Sequence, residues 1–309
     1  GGMDIVGIGT SPSTGLRKGV VVNIEQTVQS IKRALEEAEL MAGCEIRSVY
    51  AGIAGSHIKG FNSHGVIAVK GGEVSPRDIE RALDAAKAVA IPLDREVIHI
   101  LPQEYIVDDQ RGIADPMGMA GVRLEVKVHI VTGAVTSAQN IVRSCHRSEL
   151  EVSDIALESL ASAKAVLTEE ERELGVALVD IGGGTTGLAI LKEGKVVQIE
   201  DEPTGGTHLT LVLSGNYHVS FEEAEAIKQD YKRHREILPV VRPVVEKMAT
   251  IVSRYVDKAH TDTIYLCGGT CCLTGIEDIF QKVTGIRTIK PANPFLVTPT
   301  GIAMNCTLE

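Results

Sequence analysis

A chain of 309 residues with 44% hydrophobic and 23% charged side chains is long enough for two domains, and with 3% aromatics and no Trp its cores must be aliphatic. A formal net charge of -10, with no basic run and no aromatic-basic interleaving, argues against a nucleic-acid or anionic-membrane surface. No apolar stretch approaches the roughly 20 residues of a membrane span, no signal peptide is visible, and six scattered cysteines read as reduced thiols, so a cytoplasmic protein is expected.

Gly1-Gly2-Met3 and Leu308-Glu309 read as added or cut ends and are set aside. Asp4 to Gly9 is a short strand candidate, followed by a loop through Gly15. Asn23 is placed to cap a helix with Gln26 as its box partner; Val28, Ile31, Leu35 and Ala38 share one face, and Gly43 stops it. Val49 to Ile53 is the next strand. The stretch from 57 to 124 reads as a separate small α/β unit, with a strand at 66–69 and a helix opened by Ser75-Pro76 and lined by Ile79, Leu83, Ala86 and Val89. Strands at 97–101 and 104–107, split by Pro102, and a loop over 108–121 complete it.

Leu124, Val126, Val128 and Ile130 alternate with polar residues, the pattern of a half-exposed strand. Helices at 137–145 and 158–167 flank a strand at 152–156. The charged run Thr168 to Glu173 predicts a solvated linker and the main domain boundary. Beyond it, Val176 to Asp180 is a buried strand, and 188–191 with 196–199 form a hairpin around Glu193-Gly194. Ser220 and Glu223 form a capping box, 243–256 is a helix with Val245, Met248, Val252 and Tyr255 inward, and 264–267 is a strand. Alternating strands and helices make the fold class α/β.

Asp180-Ile181-Gly182-Gly183-Gly184-Thr185-Thr186 follows a buried strand directly. Glycines let the backbone approach a phosphate with its amides inward, and a carboxylate at the strand end suits a hydrated Mg²⁺. Gly268-Gly269-Thr270 follows another buried strand; alone it is an ordinary turn, but paired with the first motif it suits a nucleoside or phosphate contact. Gly205-Gly206 reads as a loop or as a wrap around a terminal phosphate. Glu225 and Lys228 share a helical face, as a surface ion pair or as nucleoside contacts. Cys267, Cys271 and Cys272 lack the second pair of a zinc site, and no nucleophilic triad is present.

Together these motifs resemble the actin/Hsp70/sugar-kinase superfamily. The resemblance implies a two-domain actin-like (ribonuclease H-like) ATPase fold that binds ATP or ADP with Mg. It makes Gly182, Gly183, Gly184, Thr185 and Thr186 the second phosphate loop, Gly268, Gly269 and Thr270 the adenosine motif, and Glu225 and Lys228 the nucleoside pair. Asp180 would hold Mg²⁺ through water, and Glu158, at the head of a crossing helix, would orient the attacking water. Residues 4–56 and 125–174 would form the first domain, 57–124 an inserted subdomain, and 175–306 the second domain.

Residues from about 4 to 180 resemble the bacterial cell-division family FtsA, through stretches such as Gly19-Val20-Val21-Val22-Asn23, Ala51-Gly52-Ile53-Ala54-Gly55 and Leu101-Pro102-Gln103-Glu104-Tyr105. From about 187 onward the chain is similar to the Hsp70-like ethanolamine-utilisation family EutJ, through Asp201-Glu202-Pro203-Thr204-Gly205-Gly206, Phe221-Glu222-Glu223-Ala224-Glu225 and Val297-Thr298-Pro299, and Gly187 stands where FtsA proteins usually have Asp. The chain thus reads as a chimera. The superfamily's first phosphate loop is expected before residue 4, so the first domain reads as N-terminally truncated and hydrolysis as weak or nil. The resemblance implies self-association through 57–124, and it leaves out the membrane helix and most of the surface for a tubulin-like division partner. A EutJ-type chaperone and a non-catalytic scaffold are the alternatives.

Overall fold

A computed structural model describes residues 4–257 and 260–307; Gly1–Met3, Lys258–Ala259, Leu308–Glu309 and the side chains of Cys306 and Thr307 lie outside the described residues. Leu16–Arg17 (β1) and Val20–Val21 (β2) form a small hairpin whose two-residue turn, Lys18-Gly19, has φ of 50° and 76°. The first helix, α1 (Ile24–Ala42), starts where Asn23 accepts the Gln26 amide and stops at Gly43, whose φ of 69° satisfies the Glu39 carbonyl. The strand expected at 4–9 does not form. That segment has no sheet partner and lies along α1, where a Cβ on Gly9 would sit 1.7 Å from the Ala34 oxygen.

Ser48–Ile53 (β3) leads into Lys59–Ala68 (β4), Pro76–Lys87 (α2), Arg95–Val107 (β5), Gln110–Ile113 (β6) and Arg123–Ala134 (β7). These build an antiparallel sheet in the order β4-β7-β5-β6, with α2 on one face. Leu124, Val126, Val128 and Ile130 are each 0% exposed against that helix, so the alternation read from the sequence holds. Three expectations shift here. Val89 lies past the end of α2 and is exposed. Pro102 divides no strand, because the register slips between Pro102 and Glu104 and its missing N–H falls at that irregularity. The expected loop over 108–121 contains β6, paired with β5.

Val135–His146 (α3), Glu151–Leu157 (β8) and Glu158–Val166 (α4) follow, with β8 parallel to β3. The expected linker folds as a short exposed helix, Glu169–Leu174 (α5), because Thr168 and Glu171 form a full capping box. Val176–Ile181 (β9), Thr186–Lys192 (β10) and Lys195–Glu202 (β11) come next, then Gly206–Tyr217 (α6), Phe221–Gln229 (α7) and His234–Tyr255 (α8). The β10–β11 hairpin turns at Glu193-Gly194 as expected, both at positive φ. Helix α8 starts nine residues before the expected Pro243, with Pro239 and Pro243 inside it; His234, Ile237, Val241, Val245, Met248 and Val252 form a buried stripe that holds it.

Thr263–Cys267 (β12), Ile276–Thr284 (α9), Arg287–Ile289 (β13) and Val297–Ala303 (α10) complete the chain. The larger sheet runs β11-β10-β9-β12-β13, with β9, β12 and β13 parallel. Its central strand β9 is buried throughout and separates two aliphatic cores. Helices α4 and α10 meet backbone to backbone: a Cβ on Gly301 would lie 1.9 Å from the Ala161 oxygen. Gly301→Ala should therefore cost about 2–3 kcal/mol. By contrast Gly215→Ala, exposed in α6 with nothing within 4 Å of the new methyl, should gain about 0.5–1 kcal/mol; urea unfolding of both variants beside the parent checks the pair.

Candidate functional site

Asp180 sits on β9 between Gly187 of β10 and Cys267 of β12, at the ends of the central strands. The close packing of α4 on α10 aims two hydroxyls at it: Ser162 and Thr298 donate to its Oδ2 at 2.8 and 2.6 Å. Burial raises the Asp180 carboxyl even so, the two hydroxyls opposing the shift. Its other oxygen, Oδ1, lies 2.5 Å from where a Gly268 Cβ would stand, so only glycine fits at 268, where φ is 92°.

Glu158 opens α4 and lies over β3, its Oε1 3.1 Å from the Cβ position of Gly52. Among the described residues its carboxyl accepts no hydrogen bond. Burial, with the charges of Asp180 and Asp201, pushes it up to about 8. Asp201, on β11, is pushed up to about 6 by burial, against the pull of the Gly55 N–H that donates to its Oδ2 at 2.8 Å. The second oxygen of Asp201 is buried without a hydrogen-bond partner. Three carboxyls thus share one cleft without a compensating cation. Among the described residues no His, Cys, Asp and Glu group could hold a metal by itself. The cleft therefore offers a carboxylate to a hydrated ion rather than a closed ligand cage.

The glycine turn is closed by Gly182 N–H to the Thr185 carbonyl at 3.0 Å. Its own carbonyls face α6: Gly206 N–H donates to Gly182 O at 2.9 Å and Thr207 N–H to Gly183 O at 2.8 Å. The first amides of a helix need acceptors, and the loop supplies them. The outer side is open, since a Cβ on Gly183 would meet nothing within 4 Å and one on Gly182 only the Thr185 oxygen at 3.6 Å. That open face, two residues past the Asp180 carboxyl, fits a phosphate with its hydrated Mg²⁺.

The remaining expected residues join this loop. Thr270, in the turn 269–272, donates to Gly182 O at 2.9 Å. Lys228 donates to Glu225 at 2.7 Å, to Thr210 at 2.9 Å and to Gly206 O at 3.3 Å, with only 13% of its side chain exposed. The pair is therefore a brace between α7 and the head of α6 rather than a surface ion pair. Burial would raise the Glu225 carboxyl, but Lys228 and Thr210 hold it below the usual range. Thr186 is committed to the hairpin, donating to Thr204 O at 2.8 Å, and Thr185 is buried. Gly184 differs from its neighbours: a Cβ there would lie 2.9 Å from the Lys18 Cα at the tip of the β1–β2 hairpin.

Sequence reasoning missed Ser162, Thr298, Asp201 and the Lys18-Gly19 tip. Asp201 and Thr298 stand within stretches that carry the EutJ resemblance, and Lys18-Gly19 is a two-residue turn between Leu16-Arg17 and Val20-Val21, but none of these signals a role without the fold. Gly187 also finds its reason: a Cβ there would sit 3.3 Å from Ser159 Cβ, so the start of α4 leaves little room for the expected Asp.

Comparison with known proteins agrees with this architecture. Residues 55–132 match the SHS2 domain inserted in FtsA. Residues 125–303, more than half of the chain, match the family of the type IV pilus assembly protein PilM. The cell division protein FtsA of Pseudomonas aeruginosa is 56% identical over 231 residues, 75% of this chain and 55% of that protein, so the chain spans about half the length of this relative. That stretch is long enough to run past the glycine loop in any placement, so the FtsA and EutJ likenesses overlap. The ethanolamine utilization protein EutJ of Carboxydothermus hydrogenoformans superposes with a TM-score of 0.61 at 28% identity, over 94% of this chain and 77% of that one. PilM in the PilM-PilN type IV pilus biogenesis complex superposes at 0.72 with 17% identity, over 96% and 89%. The chain therefore belongs to the family that the PilM model describes, and its residues 55–132 match the domain found inserted in FtsA.

Proposed function

We propose that this chain is the nucleotide-binding body of a cell-division protein of the FtsA type, holding ATP or ADP with Mg between its glycine turns. The open face of Gly182-Gly183 beside the buried carboxyls carries this reading. In it, Gly182 to Thr185 cradle phosphates, Gly205-Gly206 closes the cradle, and Gly268 to Thr270 with Glu225 and Lys228 border the nucleoside. Asp180 holds the waters of Mg²⁺, which when bound neutralises phosphate charge. Glu158 faces the same cleft as the group that orients water for transfer of the γ-phosphate. In the empty cleft, burial and the charges of Asp180 and Asp201 favour its protonated form.

Calorimetric titration of the parent with MgATP and MgADP, beside Asp180→Ala, tests this. Both nucleotides should bind the parent, and the variant should lose at least about tenfold in affinity. A parent that binds neither would leave a scaffold whose function lies in its surfaces.

The raised carboxyls also set the pH response. Between its ordinary 4.5 and about 8, Glu158 holds more proton in the folded than in the unfolded chain, so stability falls as pH rises through that window. Asp201 adds the same sign up to about 6. Without Mg²⁺, Glu158→Gln should flatten the decline and exceed the parent at about pH 8 by on the order of 2 kcal/mol. Denaturant unfolding at about pH 5 and about pH 8 reads this; a parallel decline in both proteins would be evidence against it.

The FtsA-type unit at 57–124 is proposed as the self-association surface. A second reading, an ethanolamine-utilisation factor, is favoured by the EutJ likeness over most of the chain. Sedimentation with MgATP separates them. Assembly that a charge reversal on the surface of that unit, Lys70→Glu, abolishes supports the first; a chain that stays monomeric supports the second.

A further inference from the structure

Lys18 stands at the tip of the β1–β2 hairpin with φ of 50°, the left-handed conformation that the first residue of a two-residue hairpin turn adopts. Asn is the usual first residue of such a turn. The backbone of Lys18 touches the phosphate turn: its Cα and N lie 2.9 and 3.1 Å from the Cβ position of Gly184. The tip is fixed from behind as well. A Cβ on Gly19 would lie 2.9 Å from the Ala54 oxygen, and Gly55, the next residue, is tied to Asp201. The hairpin is thus wedged between the phosphate turn and the root of the FtsA-type unit.

Charge gives the wedge a purpose. The cleft holds Glu158, Asp180 and Asp201, and a nucleotide would bring further negative charge. Lys228 is committed to Glu225, Thr210 and Gly206. Lys18 is exposed and forms no ion pair or side-chain hydrogen bond among the described residues. It is an uncommitted cation whose backbone abuts Gly184, the residue next to the open face of Gly183.

We propose that Lys18 reads the terminal phosphate: its ammonium pairs with the outermost phosphoryl group of a bound nucleoside triphosphate, so that the site distinguishes ATP from ADP. This rests on the nucleotide reading above. A lysine is suited to it, being a point charge that donates in several directions to a flexible phosphate tail.

Lys18→Asn tests the side chain without disturbing the turn, since Asn tolerates this φ; its melting temperature should match the parent. Titrations with MgATP and MgADP should show the variant losing about tenfold or more for ATP and less than about threefold for ADP, with Lys18→Arg restoring the ATP affinity. Rising salt should weaken ATP binding to the parent more than to Lys18→Asn. Equal losses for the two nucleotides, or an unchanged ATP affinity, would overturn the assignment. Binding of neither nucleotide by the parent would overturn the nucleotide reading together with it. Retained nucleotide binding with no ATP-specific loss in Lys18→Asn would leave that reading standing and remove this one alone.

Discussion

A buried carboxylate held by two hydroxyls organises this molecule. For Ser162 and Thr298 to reach Asp180, α4 and α10 must approach until their backbones touch, which requires glycine at 301. For Asp180 to stand at the end of a fully buried strand, its neighbours must be small, and they are Gly187, Cys267 and Gly268. The aliphatic composition follows the same logic, because β9 is covered on both faces and its residues pack into two separate cores. Removing that carboxylate would leave Thr298 without the acceptor of its hydroxyl and the close approach of α4 and α10 without a purpose.

The cleft is built against its own electrostatic interest. Three acids share a space where desolvation favours their neutral forms, and among the described residues no cation pairs with them. Such an arrangement is costly in the empty state and repaid when positive charge arrives, as expected where a fold keeps a site for a ligand rather than for stability. The brace of Glu225 and Lys228 is the opposite case. There a charged pair is satisfied by Thr210 and a backbone carbonyl, and it serves to fix α7 against α6.

Much of this was legible from residues alone. Caps at Asn23, Ser75 and Ser220, the stop at Gly43 and the turn at Glu193-Gly194 obey local chemistry, so sequence predicts them. The place of the glycine turn, at the end of a buried strand, was legible too, because three glycines in a row after an apolar run break a strand. What escaped was set by distant partners. Asp4 to Gly9 has the composition of a strand, but a strand needs an edge, and the helix beside it offered a glycine-shaped groove instead. The early start of α8 went against two prolines, whose local cost a long buried stripe outweighs. Ser162, Thr298 and Asp201 are ordinary residues until the fold gathers them, since partners 18, 118 and 146 positions apart leave no local pattern.

The bonds from Gly206 and Thr207 to the carbonyls of Gly182 and Gly183 make the glycine turn, in effect, an extra lap at the front of α6. The same helix end receives Lys228 and Thr270. The two ends of a ligand would therefore dock onto one rigid body and not onto two independent loops. A fragment that orders this helix head has already settled the entropy its other half would otherwise have to meet, so a whole nucleotide gains more than its separate pieces. The same mechanical unity makes the site unforgiving, because a shift that loosens the brace at one end is carried undiminished to the other.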